Sequence, residues 1–204
     1  MKRYLWAAVA AAIVAMAVAV ALALHGLRNL GADSGTDARP KADTGTECTG
    51  TRPVDSLPEA DDGSPPERVV THIDKLAHGK RYSDVFTGLA LDEDQHAADV
   101  WRTPSAAFDD EVCGSAVKGV TVRLHDTHVG RRTLDALADR IGDDMRRWDG
   151  TFGMREVGPD ERGFVHVGVD DPDKAGPIVE KAYGEKNSRY IKVEYAEQAE
   201  AAVG

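Results

Sequence analysis

From Thr87 onward, the spacing of apolar and polar residues spells one pattern twice. Thr87–Leu124 reads as a strand pair, a Thr103-Pro104 helix start, a short helix and the strand Val120–Leu124. Met154–Tyr195 reads as a strand pair, an Asp171-Pro172 helix start, a short helix and the strand Ile191–Tyr195. Val120, Val122 and Leu124 alternate with Thr121 and Arg123, and Ile191, Val193 and Tyr195 alternate with Lys192 and Glu194. Period-two alternation marks a strand with one buried face. Leu134, Leu137, Ala138, Ile141, Met145 and Trp148 trace a single helical stripe over Leu134–Trp148, between the copies. Its other face carries acidic residues early and basic residues late, the order that the helix dipole favours.

A first helix is expected over Glu67–Ala77, where Val69, Val70, Ile73, Leu76 and Ala77 share a face, with Pro65-Pro66 at its start and Gly79 at its end. The first hairpin pairs Val85–Asp92 with Ala97–Arg102 through the polar turn Glu93–His96. Leu89, Leu91 and Val100 face the core and Trp101 faces away, under the first helix or exposed as a contact surface. Ala106, Ala107, Phe108, Val112 and Cys113 give the next helix its apolar side. In the second copy, Val165, Val167 and Val169 point inward, while Phe164 and His166 point outward. Pro177 conflicts with a continuous helix after Pro172, because proline removes an interior hydrogen bond. The fold class expected is α+β: an N-terminal transmembrane helix, a disordered linker, then two ββαβ units. A helix joining two strands in each unit favours a split-βαβ, ferredoxin-like layout, with helices packed on an antiparallel or mixed sheet. How the two units share a sheet stays open.

The N-terminal segment changes this picture most. An uncharged run from Tyr4 to Leu24 follows Lys2 and Arg3. At about 1.5 Å per residue it spans a bilayer core of roughly 30 Å. The positive-inside rule then puts the N-terminus in the cytoplasm and the rest of the chain outside. Small residues at Ala19-Val20-Ala21 and Ala21-Leu22-Ala23 also fit a cleaved signal peptide, which would make the product secreted. The boundaries expected are residues 1–28 for the signal-anchor, 29–66 for the linker, 67–197 for the α+β domain and 198–204 for a tail. The linker is rich in Gly, Asp, Thr, Ser and Pro, a composition too poor in large apolar residues to offset ordering entropy.

Two cysteines, Cys48 and Cys113, lack the spacing of a zinc site. An oxidising compartment favours their pairing, whereas the place of Cys113 on the inner side of a helix favours an inert thiol, so both fates stand. The chain has 204 residues and a formal net charge of −10, a balance that argues against nucleic acid as a partner. His125-Asp126-Thr127-His128 is the most suggestive cluster for a metal. Positions 125 and 128 diverge at a strand end, however, and no third ligand follows at fixed spacing. Asp92-Glu93-Asp94 and Asp170-Asp171-Pro172-Asp173 read as turn and capping chemistry rather than calcium loops. Phosphate-binding glycine loops and a nucleophile elbow are missing, and Cys113 is the one formal thiol nucleophile. The expectation is a protein that is not an enzyme, with no catalytic, cofactor-binding or metal residue and no cofactor.

Arg81-Tyr82-Ser83-Asp84-Val85-Phe86-Thr87-Gly88-Leu89, preceded by a helix, resembles the opening of the small α+β pro-domains of actinobacterial extracellular serine proteases of the alpha-lytic type, and of related stand-alone exported domains. The Val120–Leu124 strand and Leu134-Asp135-Ala136-Leu137 follow in the same order, and the likeness covers Glu67–Tyr195. Composition likewise resembles exported proteins of high-GC actinobacteria. No protease domain follows in this sequence, so the resemblance implies a stand-alone domain. Three functions follow as expectations. The first is a membrane-anchored, extracytoplasmic, non-catalytic interaction protein of the bacterial envelope, whose partners are the bilayer, through Tyr4–Leu24, and an envelope protein of unknown identity. The second is a protease inhibitor or folding helper acting in trans. The third is a metal-dependent enzyme centred on His125 and His128.

Overall fold

The computed structural model describes residues 45–58 and 63–198. The Tyr4–Leu24 run, most of the 29–66 linker and nearly all of the tail lie outside the described residues. Among the described residues no helix is long and apolar enough to cross a membrane.

Strand β1 (Thr46–Thr49) comes first. Two successions of the same elements follow. The first repeat is α1 (Pro65–Ala77), β2 (Phe86–Asp92), β3 (Ala97–Arg102), α2 (Ala106–Cys113) and β4 (Thr121–Asp126). The second is α3 (Arg131–Asp143), β5 (Met154–Pro159), β6 (Val165–Val169), α4 (Pro172–Tyr183) and β7 (Ile191–Tyr195), with a four-residue helix α5 (Glu185–Ser188) before β7. The protein is α+β with two mixed sheets, ordered β1-β4-β3-β2 and β5-β6-β7. In each, a hairpin (β2/β3, β5/β6) is antiparallel and the strand after the crossover helix is parallel to the hairpin's second strand. The doubled ββαβ pattern is therefore real. The helix between the copies belongs to the second repeat as α1 belongs to the first, which makes each unit αββαβ.

The split-βαβ expectation is corrected. β3 bonds directly to β4, and β6 to β7, so no strand is inserted between the parallel pair. The two units do not share a sheet either. Each owns a hydrophobic cluster: Val69, Ile73, Val100, Phe108, Val112, Val122 and Leu124 in the first, and Leu134, Ile141, Val165, Val167, Val169 and Val179 in the second. Full burial of such side chains stabilises by roughly 1.5–3 kcal/mol each.

Local chemistry explains the other differences. Thr103 does not cap α2. Pro104 holds it extended, and its N–H (2.9 Å) and hydroxyl (3.3 Å) both donate to Val85 O, prolonging the hairpin. Ser105 is the N-cap instead, and Ala106 and Ala107 are exposed, leaving Phe108 and Val112 as the buried pair. α1 begins two residues early because Ser64 N–H (2.6 Å) and Oγ (2.8 Å) both donate to Glu67 Oε2. The stripe expected over Leu134–Trp148 leaves α-helical geometry at Asp144 and continues as a 3₁₀ turn, Met145–Trp148. α4 runs unbroken through Pro177, started by Asp171, whose carboxylate accepts from Lys174 N–H. In β7, Ile191 and Val193 are half-buried but Tyr195 is 64% exposed, because the strand lies at a sheet edge and outruns its cover.

The 29–66 stretch is corrected where it is described. Thr46–Thr49 pairs antiparallel with β4, and Cys48 bonds to Cys113 of α2 with Cα atoms 5.2 Å apart. Leu57 is buried in the first core. The order here comes mainly from main-chain pairing and a covalent link, with a small apolar share from Leu57, Cys48 and Val54 against the first core.

Candidate functional site

Alternation along β3 and β4 sends Ala98, Val100, Val122 and Leu124 into the core and Asp99, Trp101, Arg123 and His125 to the opposite face. The parallel register then sets Asp99 beside Arg123 and Trp101 beside His125. Arg123 reaches Asp99 twice (Nε–Oδ1 2.8 Å, Nη2–Oδ2 2.5 Å), Asp92 Oδ2 at 2.7 Å and Gln95 Oε1 at 2.7 Å. His125 Nε2 lies 2.6 Å from Asp99 Oδ1, and its ring stacks on Trp101 with centroids 4.8 Å apart. From the second repeat, the Arg162 guanidinium sits 5.8 Å from the Trp101 ring centre. Asp99, Trp101, Arg123, His125 and Arg162 line an open groove of about 420 Å³. Hydrogen bonds to Asp99, then Asp92, raise the Arg123 pKa further. The Arg123 contact, before the N–H of Gln95, holds Asp92 below the usual carboxylate range.

The second repeat carries a smaller counterpart on the same face of its sheet. His166 has a carboxylate at each ring nitrogen, with Nδ1 2.6 Å from Glu194 Oε1 and Nε2 2.9 Å from Asp160 Oδ2. Lys192 Nζ stands 3.6 Å over the Phe164 ring. Asp160 also shapes the β5–β6 turn by accepting from the N–H groups of Arg162 (2.9 Å) and Phe164 (2.8 Å). That turn packs against the first repeat. Gly88, at a bulge in β2, leaves no room for a Cβ against the backbone of Glu161. Thr87 Oγ1, 2.7 Å from Thr127 Oγ1, donates to Val129 O at 2.6 Å just beneath.

The residues singled out in the sequence do not converge. His125 turns toward Asp99, Asp126 pairs with Arg102, Thr127 is buried, and His128 is exposed, its carbonyl accepting from Tyr190 Oη at 3.3 Å. Among the described residues no group of three or more His, Cys, Asp or Glu could hold a metal ion. Asp92 takes the N–H of Gln95 in its turn, and Asp170 takes that of Gly153 at 2.8 Å, in keeping with turn chemistry. Cys113 carries no thiol, because its sulfur is bonded to Cys48. Trp101 does face away from the core, and its cover is His125 and Arg162 rather than α1. Asp99 and Arg123 belong to no motif in the sequence. The signal was there in their strand parity, but only the parallel register says that they meet.

His125 and Asp99 match the base-and-orienter half of a nucleophilic triad, yet no Ser, Thr or Cys stands among the groove-lining residues. The groove presents a half-buried aromatic surface edged by fixed charges of both signs. No family model, curated protein or solved structure matches this chain.

Proposed function

We propose that the chain is a membrane-anchored, extracytoplasmic, non-catalytic interaction protein of the bacterial envelope, with the Trp101 groove as its contact surface. The observation that carries this reading is the Cys48–Cys113 bond. Disulfides persist in oxidising compartments and are rare in the cytoplasm, so the bond supports export of everything after the apolar run. Fixed cross-strand pairing of the groove's Asp99 and Arg123 supports binding rather than chemistry, since both are already engaged. The test is a pair of reporters fused after Gly204. An export-dependent phosphatase should be active and a cytoplasm-dependent fluorophore dark; the reverse pattern discards the proposal. Alkylation of the native chain should label neither cysteine until reductant is added.

A second reading is an inhibitor or folding helper for a secreted serine protease. The element order, helix, hairpin, helix and strand given twice, is the one implied by the resemblance to alpha-lytic-type pro-domains, and this supports it. Protease activity and refolding yield that stay the same with and without the protein would remove this reading.

A further inference from the structure

β7 occupies in the second repeat the place that β4 holds in the first. The outer edge of β4 is covered by an antiparallel strand, β1. Beside the outer edge of β7 no strand lies among the described residues. Val165 N–H donates to Tyr190 O and Ala196 N–H donates to Val169 O. Even-numbered residues of β7 therefore turn their backbone toward β6, and Ile191, Val193 and Tyr195 turn theirs outward.

We infer that this edge pairs with the β7 edge of a second copy of the chain, antiparallel about a two-fold axis at Val193. In that register Val193 exchanges hydrogen bonds with its own mate, and Ile191 does so with Tyr195. Lys192 then stands opposite Glu194 on one face, twice by symmetry. A lysine on an edge strand ordinarily discourages pairing; here the sequence Ile-Lys-Val-Glu-Tyr supplies its counter-charge in the antiparallel mate. The side chains of Lys192 and Glu194 remain 43% and 51% exposed despite their contacts with Asp160 and His166, so both can reach across. Pairing also sets Tyr195, a large hydrophobic residue left exposed, against Ile191 of the mate. The interface is isologous, so it closes at two copies. It rests on the fold alone and stands whether or not the chain is membrane-anchored.

Sedimentation of the full-length chain in density-matched detergent, from about 1 to 100 µM, is expected to pass from monomer to dimer, the range suiting a small interface. Lys192→Glu alone and Glu194→Lys alone each set like charges opposite one another and should weaken the dimer about tenfold or more. Mixing the two variants, or combining both changes in one chain, restores complementary pairs and should restore the dimer. Val193→Pro removes the outward N–H at the axis and spares the β6 ladder, as edge positions allow; it should stay folded by circular dichroism and stay monomeric. A wild-type chain that is monomeric throughout the range overturns the inference. So does a dimer that both single reversals and Val193→Pro leave intact.

Discussion

Arg102 shows how one residue can break the pattern around it. It holds a core-facing position on β3 where the second repeat has Val169, and it is only 5% exposed. Asp109 of α2 clamps it through two contacts, Nε–Oδ1 at 2.6 Å and Nη2–Oδ2 at 2.9 Å, and Asp126 takes the remaining nitrogen. Burial alone would lower its pKa, but these carboxylates outweigh it and the net shift is upward. The cost of a buried ion pair falls on whichever charge is left alone. Asp109→Ala takes the partners of Nε and Nη2 from the buried guanidinium, leaves it Asp126 alone, and should cost about 3 kcal/mol. Arg102→Met fills similar space and frees two carboxylates that can hydrate, so urea midpoints should show it costing less than half as much. The opposite ranking would refute this account. His166 makes a separate prediction. Burial again works against the charged ring, but hydrogen bonds to Asp160 and Glu194 win and raise its pKa above the ordinary value. The folded protein thus holds the proton more tightly than the unfolded chain. That stability is complete below about pH 6.5 and disappears as pH rises through the folded value. Asp160 behaves in the opposite sense. Burial is outweighed by the N–H of Phe164 and by His166, its pKa falls, and its contribution is lost only as pH drops below the carboxylate range. The melting temperature should be higher near about pH 5.5 than near about pH 8.5, and His166→Asn should flatten that slope.

At the scale of elements, β1 is the strand with the least hydrophobic reason to exist. Its burial runs from half-buried to exposed, and its anchors are the β4 ladder and the bond across a separation of 65 residues. Closing a loop of that length stabilises by roughly 4 kcal/mol in the chain-entropy view. Cys48→Ser should lower the urea midpoint accordingly and raise hydrogen exchange across β1 and the outer edge of β4, while β5–β7 stays protected. This element also marks the limit of what periodicity can reveal. The hairpins β2/β3 and β5/β6, helix α1 and the duplication were legible, because Val165, Val167 and Val169 or Val69 and Ile73 announce a buried face by spacing alone. β1 was not, since Thr46-Glu47-Cys48-Thr49 is ordered by a partner elsewhere in the chain. The direct β3–β4 contact was not either, because alternation gives the face of each residue and never the neighbour of each strand. The candidate groove fell between these cases. Trp101 was readable as outward-facing, whereas its meeting with His125 and Arg162 needs the register and the packing of the second repeat.

For the whole molecule, the question is whether two repeats with separate cores unfold as one. Among the features that join them are Gly88 against the Glu161 backbone, the Thr87–Thr127–Val129 contacts, and Arg162 over Trp101. Of these, Gly88 is the most sensitive, because any side chain there meets main chain that cannot rotate away. A larger residue must either push the β5–β6 turn off the first sheet or distort the β2 bulge. Either outcome should cost about 1–3 kcal/mol and fall mostly on the coupling between the repeats. Each repeat carries its own reporter, Trp101 in the first and Trp148 in the second, so the coupling can be read directly. With Trp6 and one of these replaced by phenylalanine, the two single-tryptophan proteins should unfold at the same denaturant concentration when Gly88 is present. Adding Gly88→Leu should separate the midpoints. The Trp148 signal should move first, because the disulfide holds the first repeat together and nothing comparable among the described residues holds the second. Coincident midpoints after that substitution would mean that the cores communicate by another route, through α3, which contacts β2 as well as β5.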